Sequence, residues 1–402
     1  MKILWITSVY PSKEQPGNGV FHETQVQALK KLGLDITVIC PTPQNHAVLR
    51  ALKKTYKRKN LPYHELRGGV EVYRPIYTAL PGQLRWAQPD KRIAKAILKT
   101  IQDKNIQFNM IHAHFAMPSG GAAHIISKTL QKPWLLTLHG SDVHIYPSFS
   151  KSANKAFQRS VHSADEVISI GRNLAQAAKV KTGRETLVLP IGINLSRFQA
   201  EEMPKERIRE KLQLPSDKKL ITFIGRLVKE KGVYELTDSL NRLPDEMAVV
   251  LVGDGPARDE LKKHEQYGKR LFLPGQISND KVKDYLQASD IFALPSYSEG
   301  MPTVVIEAIS MKVPVICTSV GGVPDLFGEF SHLLIQPKSV DSIVERVLDY
   351  HSEKYDLSVI KGKLFQYVQD NFHVGRNAEI LEKRYRKLAL NESQLNSSIK
   401  GD

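Results

Sequence analysis

Ile291-Phe292-Ala293-Leu294-Pro295-Ser296-Tyr297-Ser298-Glu299-Gly300-Met301-Pro302-Thr303-Val304-Val305-Ile306-Glu307-Ala308 reads as an apolar strand, a polar loop and the opening of a helix. Proline suits the first turn of a helix, where its missing N–H would have no partner in any case. Gly300 lets the backbone approach a ligand with no Cβ in the way. A helix start presents unpaired amides and a partial positive charge, which favours an anion such as a pyrophosphate. Gly300, Met301, Pro302 and Thr303 are the candidate residues for that contact. Glu307, one turn into the helix, is placed to accept hydrogen bonds from a ribose diol, and Glu299 could do the same for sugar hydroxyls. Taken alone, either glutamate is also explained as a surface or helix-capping residue.

The same alternation of strand, loop and helix runs outward in both directions, as expected of open parallel α/β sheets. Toward the N-terminus the predicted strands are Ile3–Thr7, Asp35–Cys40, Val70–Tyr73, Met110–Ala113, Trp134–Leu138, Glu166–Ser169 and Thr186–Leu189. A helix over Glu23–Leu32 is stopped by Gly33. After Pro190-Ile191-Gly192-Ile193-Asn194, which reads as a hinge, the pattern restarts. Its strands are Leu220–Ile224, Ala248–Val252, Arg270–Leu273, Ile291–Leu294, Val315–Cys317 and His332–Ile335. A chain of 402 residues exceeds what one core usually organises. The expected division is a domain over 1–190, a second over 191–372, a helix over 373–390 and a flexible tail over 391–402.

Hydrophobic residues make up 41% of the chain and charged residues 25%, the balance of an ordinary globular protein. No stretch approaches the roughly 20 apolar residues of a membrane span. Ile3-Leu4-Trp5-Ile6, followed by Tyr10-Pro11-Ser12-Lys13-Glu14, reads as a buried strand and not as a signal peptide. Cys40 and Cys317 stand far apart, giving neither a disulfide framework nor a metal cluster, and the expected compartment is the cytoplasm. The net charge of +15 is unevenly spread. Residues 1–190 hold 27 Lys and Arg against 11 Asp and Glu, whereas residues 191–402 hold 30 against 31. Such an imbalance calls for an anionic partner of the first half.

Arg50, Lys53, Lys54, Lys57, Arg58 and Lys59 are interleaved with Val48, Leu49, Leu52 and Tyr56 at helical spacing. That is the pattern of an interfacial helix on acidic lipid, a peripheral placement at the inner face of the cell membrane. The stretch from Leu84-Arg85-Trp86 to Lys99 repeats the mixture. A helix packed on its own domain accounts for both equally well. Nucleic acid is disfavoured, since no reading motif accompanies the charge.

Further motifs stand at strand ends. In Gly225-Arg226-Leu227-Val228-Lys229-Glu230-Lys231-Gly232, Arg226 and Lys231 are two cations in a glycine-flanked loop, able to neutralise a diphosphate. Thr137-Leu138-His139-Gly140-Ser141-Asp142 follows an apolar strand, and parallel sheets bind ligands at the carboxyl ends of their strands. Asp142 reads equally as a functional residue and as a helix N-cap. In Pro16-Gly17-Asn18-Gly19-Val20-Phe21-His22, Gly19 is the better candidate for close backbone approach. His112-Ala113-His114 puts two imidazoles on one strand face, but no third ligand stands at a recognisable metal spacing. Val252-Gly253-Asp254-Gly255-Pro256 and Val320-Gly321-Gly322-Val323-Pro324 read as tight turns.

Together, Glu299 and Glu307 with seven residues between them, the Gly225–Gly232 loop, the Val252–Pro256 turn, His139 and the Gly17–Gly19 loop resemble the family-4 retaining glycosyltransferases of GT-B fold. The resemblance covers most of the chain. At a finer level it is to bacterial enzymes of teichuronic acid or exopolysaccharide assembly. It implies two Rossmann-like α/β domains facing across a cleft, with the helix around Arg376–Leu388 crossing back to the first. It implies transfer of a hexose-type sugar from a nucleotide-diphosphate donor to a polyprenyl-linked or polysaccharide acceptor, with retention. The roles it implies are Arg226 and Lys231 on the diphosphate, Glu307 on the ribose, Glu299 on the sugar and His139 on the sugar–phosphate region. Gly19, Gly225, Gly300, Met301, Pro302 and Thr303 complete the donor site. No cofactor and no essential metal are implied, because cationic side chains serve the diphosphate. No residue stands out as a covalent nucleophile, which fits a front-face reaction in which the leaving phosphate takes the acceptor's proton. A sugar-nucleotide epimerase of the same fold and a non-catalytic sugar- or nucleotide-binding protein are the alternatives.

Overall fold

The computed structural model describes residues 1–45, 61–79, 89–198 and 202–398. The basic cluster Arg50–Lys59 and the Leu84-Arg85-Trp86 segment lie outside the described residues. The chain divides into two compact units, Met1–Gly192 with Val374–Asp402, and Ile193–His373.

The first unit holds β1 (Lys2–Ile6), β2 (Asp35–Ile39), β3 (Thr42–Gln44), β4 (His64–Arg67), β5 (Val70–Tyr73), β6 (Ile76–Thr78), β7 (Met110–His114), β8 (Trp134–Leu138), β9 (Glu166–Ser169) and β10 (Leu187–Val188). Its main sheet has the order β10-β9-β8-β7-β1-β2-β5-β4, parallel except for β4 against β5. β7 and β8 are buried along their whole length, as parallel strands covered on both faces must be. The order reverses between β1 and β7, so a crevice opens where the chain leaves their carboxyl ends in opposite directions. The helix Val20–Lys31 packs against the closing helix Val374–Ser398, whose Ala378, Leu381 and Tyr385 are buried in this unit's core. That closing helix runs past residue 390, where the sequence reading had begun a flexible tail.

The second unit holds β11 (Lys219–Ile224), β12 (Met247–Val252), β13 (Leu271–Gly275), β14 (Ile291–Leu294) and β15 (Val315–Cys317), all parallel in the order β13-β12-β11-β14-β15. Here the reversal falls between β11 and β14. The loops leaving those two strands are Gly225–Gly232 and Pro295–Pro302, the two most informative stretches of the sequence.

One expected strand does not form, and three unexpected ones do. His332–Ile335 forms no strand: Gly328–Leu333 is a 3-10 helix, and only Ile335 bridges Thr318. β3, β4 and β6 were not anticipated, being short and polar. In the helix Pro89–Asp103, Ile93, Ala94 and Ile97 are buried in the unit, while Lys91, Lys95 and Lys99 face outward. For that part of the basic stretch the apolar face is already occupied. Among the described residues no helix is long and apolar enough to cross a membrane.

Candidate active site

In the second unit, backbone packed on backbone builds the loop at the end of β14. Gly321 adopts φ +54°, and a Cβ there would lie 1.7 Å from the Glu299 carbonyl oxygen. Gly322 donates from its amide to the Gly300 carbonyl at 2.9 Å. The turns at Gly253 and Gly232 serve the neighbouring loops in the same way, with Cβ positions 1.8 Å from the Gly225 oxygen and 2.1 Å from the Pro295 oxygen. These glycines are required because nothing larger fits between the strands' exit loops.

On this frame Lys231 Nζ donates to Glu299 Oε1 at 2.6 Å, and Ser296 Oγ donates to the same oxygen at 2.6 Å. Residues 68 apart in sequence thus form one ion pair, with the Glu299 side chain only 9% exposed and Lys231 29%. Arg226 is exposed, and its side chain makes no hydrogen bond or ion pair among the described residues. Pro302 takes the N-cap position of the helix Thr303–Ser310, one residue earlier than read from sequence, and no side chain caps that end. Gly300 is exposed beside it; Met301 and Thr303 are half-buried. Glu307 lies one turn in. Burial pushes its carboxyl up to about 7, against the pull of Arg197. A carboxyl held near neutrality, two cations and an uncapped helix start are together suited to a phosphate-bearing ligand with hydroxyl groups.

The first unit gathers four imidazoles at the β1/β7 reversal. His112 and His114 come from β7, His139 follows β8, and His22 comes from the first turn of the helix Val20–Lys31. Gly19, at φ +79°, opens that helix, and a Cβ there would meet the Val9 carbonyl at 2.9 Å. His112 is fully engaged, by Tyr385 Oη at Nδ1 (2.5 Å) and Thr137 Oγ1 at Nε2 (2.8 Å). His114 Nδ1 and His139 Nε2 share a hydrogen bond of 2.9 Å, and His22 Nε2 bonds Thr7 Oγ1 at 2.9 Å. Burial pushes all four rings toward the neutral form, His139 to about 3.

His22 is not legible as a site residue from sequence, because the rings it meets, His114 and His139, stand more than 90 residues away. With it, His22, His114 and His139 bring one ring nitrogen each within 4.8 Å of one another, a grouping that His112-Ala113-His114 did not foretell. Asp142 is neither an N-cap nor exposed. Gly140 holds the cap position of the helix Ser141–His144, and the buried Asp142 carboxylate accepts from the amides of Ala116 (2.8 Å), His139 (3.0 Å) and Gly140 (2.8 Å). It ties the exit of β8 to the exit of β7.

Comparison with known proteins agrees with these two halves. Residues 19–197 match the model described as Glycosyltransferase Family 4, and residues 204–360 that of Glycosyl transferases group 1. TuaC of Bacillus subtilis (strain 168), a glycosyltransferase named for teichuronic acid biosynthesis, is 54% identical over 96% of this chain and 98% of its own length. The UDP-Gal:alpha-D-GlcNAc-diphosphoundecaprenol alpha-1,3-galactosyltransferase of Escherichia coli is 26% identical over 72% of this chain and 78% of its own. HepE from Anabaena, solved in complex with UDP, superposes with a TM-score of 0.72 over 96% of this chain and 100% of its own, at 17% identity.

Proposed function

Because the chain belongs to the family-4 glycosyltransferases of GT-B fold, we propose that it moves a hexose-type sugar from a uridine-diphosphate donor to a lipid-linked acceptor in teichuronic acid assembly, with retention at the anomeric carbon. The observation that carries the donor half is the Lys231–Glu299 pair set on glycine-built loops beside the uncapped helix that bears Glu307. Glu307 accepts from the ribose diol. Arg226 and Lys231 spread the charge that develops on the leaving diphosphate, the largest contribution expected of such a site. Glu299, already holding Lys231, receives a sugar hydroxyl on its remaining oxygen. His139 donates to the sugar or the departing phosphate. The leaving phosphate accepts the acceptor's proton on the same face, so no covalent intermediate forms.

The uridine diphosphate is supported by the names of the Escherichia coli galactosyltransferase and of HepE, and the lipid-linked acceptor by the name of the former. With cations on the diphosphate, no divalent metal is needed, and activity is expected to survive EDTA. The deciding experiment supplies a panel of nucleotide sugars with and without membrane lipid extract and follows nucleotide diphosphate release. Release that depends on one donor, rises with lipid and collapses in Glu307→Ala and Arg226→Ala is the expected result. Interconversion of the sugar without release would identify an epimerase, and binding without either a non-catalytic receptor.

A further inference from the structure

Two buried ring nitrogens in the first unit, His22 Nδ1 and His114 Nε2, have no hydrogen-bond partner among the described residues. Buried polar atoms are rarely left so, and orphaned N–H groups more rarely than orphaned acceptors. This asymmetry fixes the protons. The Thr7 hydroxyl donates to the Val9 carbonyl at 3.1 Å, so it must accept from His22 Nε2–H, and the idle His22 Nδ1 is a bare lone pair. The same reasoning applies one ring further on. Were His139 Nε2 the donor in its bond to His114 Nδ1, a neutral His114 would carry its proton on Nε2, a buried N–H facing no acceptor. With His114 Nδ1 as donor, Nε2 is a lone pair, the less costly orphan.

His139 then has Nε2 occupied as an acceptor and its own proton on Nδ1. The ring of His114 is held for this task by stacking on Trp5, with centroids 4.1 Å apart and an interplanar angle of 29°. Of the four imidazoles only His139 retains exposure, 9% against 0% for the others, so its Nδ1 is the nitrogen left for a ligand.

We propose that His114 is a positioning residue: its Nδ1–H, donated to His139 Nε2, locks His139 in the Nδ1–H tautomer, so that the ring meets the donor substrate as a neutral hydrogen-bond donor. The consequence for catalysis rests on the role given to His139 above; the tautomer itself does not. A neutral N–H aimed at a phosphate or hydroxyl oxygen stabilises developing negative charge without giving up its proton, and needs no reorganisation when the bond breaks. In the opposite tautomer the ring would turn a lone pair toward that oxygen and repel it.

The test labels histidine with 15N and reads the ring nitrogens by one- and two-bond 1H–15N correlation, His139 being assigned by loss of its signals in His139→Gln. In wild type, a protonated Nδ1 and a bare Nε2 are expected. His114→Asp removes the donor and sets in its place a carboxylate that can only accept, and should shift the His139 proton to Nε2. His114→Asn, whose amide nitrogen falls where Nδ1 stood, should restore Nδ1–H. In the release assay His114→Asp should lose roughly 100-fold in kcat, with donor KM within about threefold of wild type and recovery in His114→Asn. An Nε2–H tautomer in wild type, or a bare Nε2 persisting in His114→Asp, overturns the proposal, and the wild-type spectrum decides alone should the Asp variant not fold. A correct tautomer series without any effect on release would leave the lock standing and overturn instead the role given to His139.

Discussion

Burial raises the Glu307 carboxyl to about 7 from its ordinary value of 4.5, which makes its titration visible in two ways. Folding holds the proton more tightly than the unfolded chain does. The stability contributed by this group is therefore full below about 4.5 and is lost as pH rises through about 7. Glu307→Gln removes that loss, so its urea midpoint should gain on wild type between pH 5 and pH 8. In the ribose-binding role proposed for Glu307, binding runs the other way, because a diol donates to the carboxylate and not to the acid. Wild-type kcat/KM for the donor should climb through an apparent value near 7, while the Gln variant should be flat and lower by roughly tenfold or more. Parallel pH profiles for the two would remove Glu307 from the ribose. Asp142 makes a separate residue-scale case. Its two oxygens accept three amides, and Asp142→Asn would turn an NH2 against one or more of them. A loss of roughly 1–3 kcal/mol in unfolding free energy is expected, read by chemical denaturation; an unchanged midpoint would mean the clamp is not made. From sequence, Asp142 could be suspected but not understood, because its Ala116 partner is brought close only by the pairing of β7 with β8.

The elements were legible wherever apolar runs of four or more residues alternated with helical periods, and they were not legible where pairing replaced burial. β14 and β15 follow from Ile291-Phe292-Ala293-Leu294 and Val315-Ile316-Cys317, buried throughout. His64-Glu65-Leu66-Arg67 gives no such signal; it becomes β4 because Gly68 and Gly69, both at positive φ, fold it back on β5. His332-Leu333-Leu334-Ile335 has strand composition but reaches β15's exit only through Ile335. The glycine turns were read as turns, yet their purpose lies in the neighbouring element. Gly321→Ala would place a methyl group 1.7 Å from the Glu299 carbonyl and force the loop that carries Glu299 and Gly300 to move. The expected outcome is a loss of donor-dependent release of roughly 100-fold together with a lowered melting temperature. Gly362→Ala in the helix Leu357–Phe372, where a Cβ meets nothing within 4 Å, is the control and should leave both nearly unchanged. Equal effects at the two positions would mean that the close backbone approach does not shape the donor loop.

At the scale of the whole chain, the basic excess of residues 1–190 is a field and not a contact, and a field acts on any anionic surface within its reach. The helix Pro89–Asp103 narrows what that field can do. With Ile93, Ala94 and Ile97 committed to the unit's interior, it cannot insert an apolar face into lipid and offers only Lys91, Lys95 and Lys99, one turn apart along its outer side. Attraction of that kind is electrostatic, additive over cations and screened by salt within about 10 Å at 0.1 M. Cosedimentation with vesicles should therefore be strong for phosphatidylglycerol-rich membranes, weak for phosphatidylcholine alone, and largely abolished at about 0.5 M salt. Lys91→Glu with Lys95→Glu should lower partitioning roughly tenfold or more while leaving release with a soluble acceptor analogue intact. Binding that ignores both salt and headgroup charge would instead require an inserted apolar segment. Because the outer face of Pro89–Asp103 holds no such segment, that result would turn attention to the other basic stretch, residues 48–59.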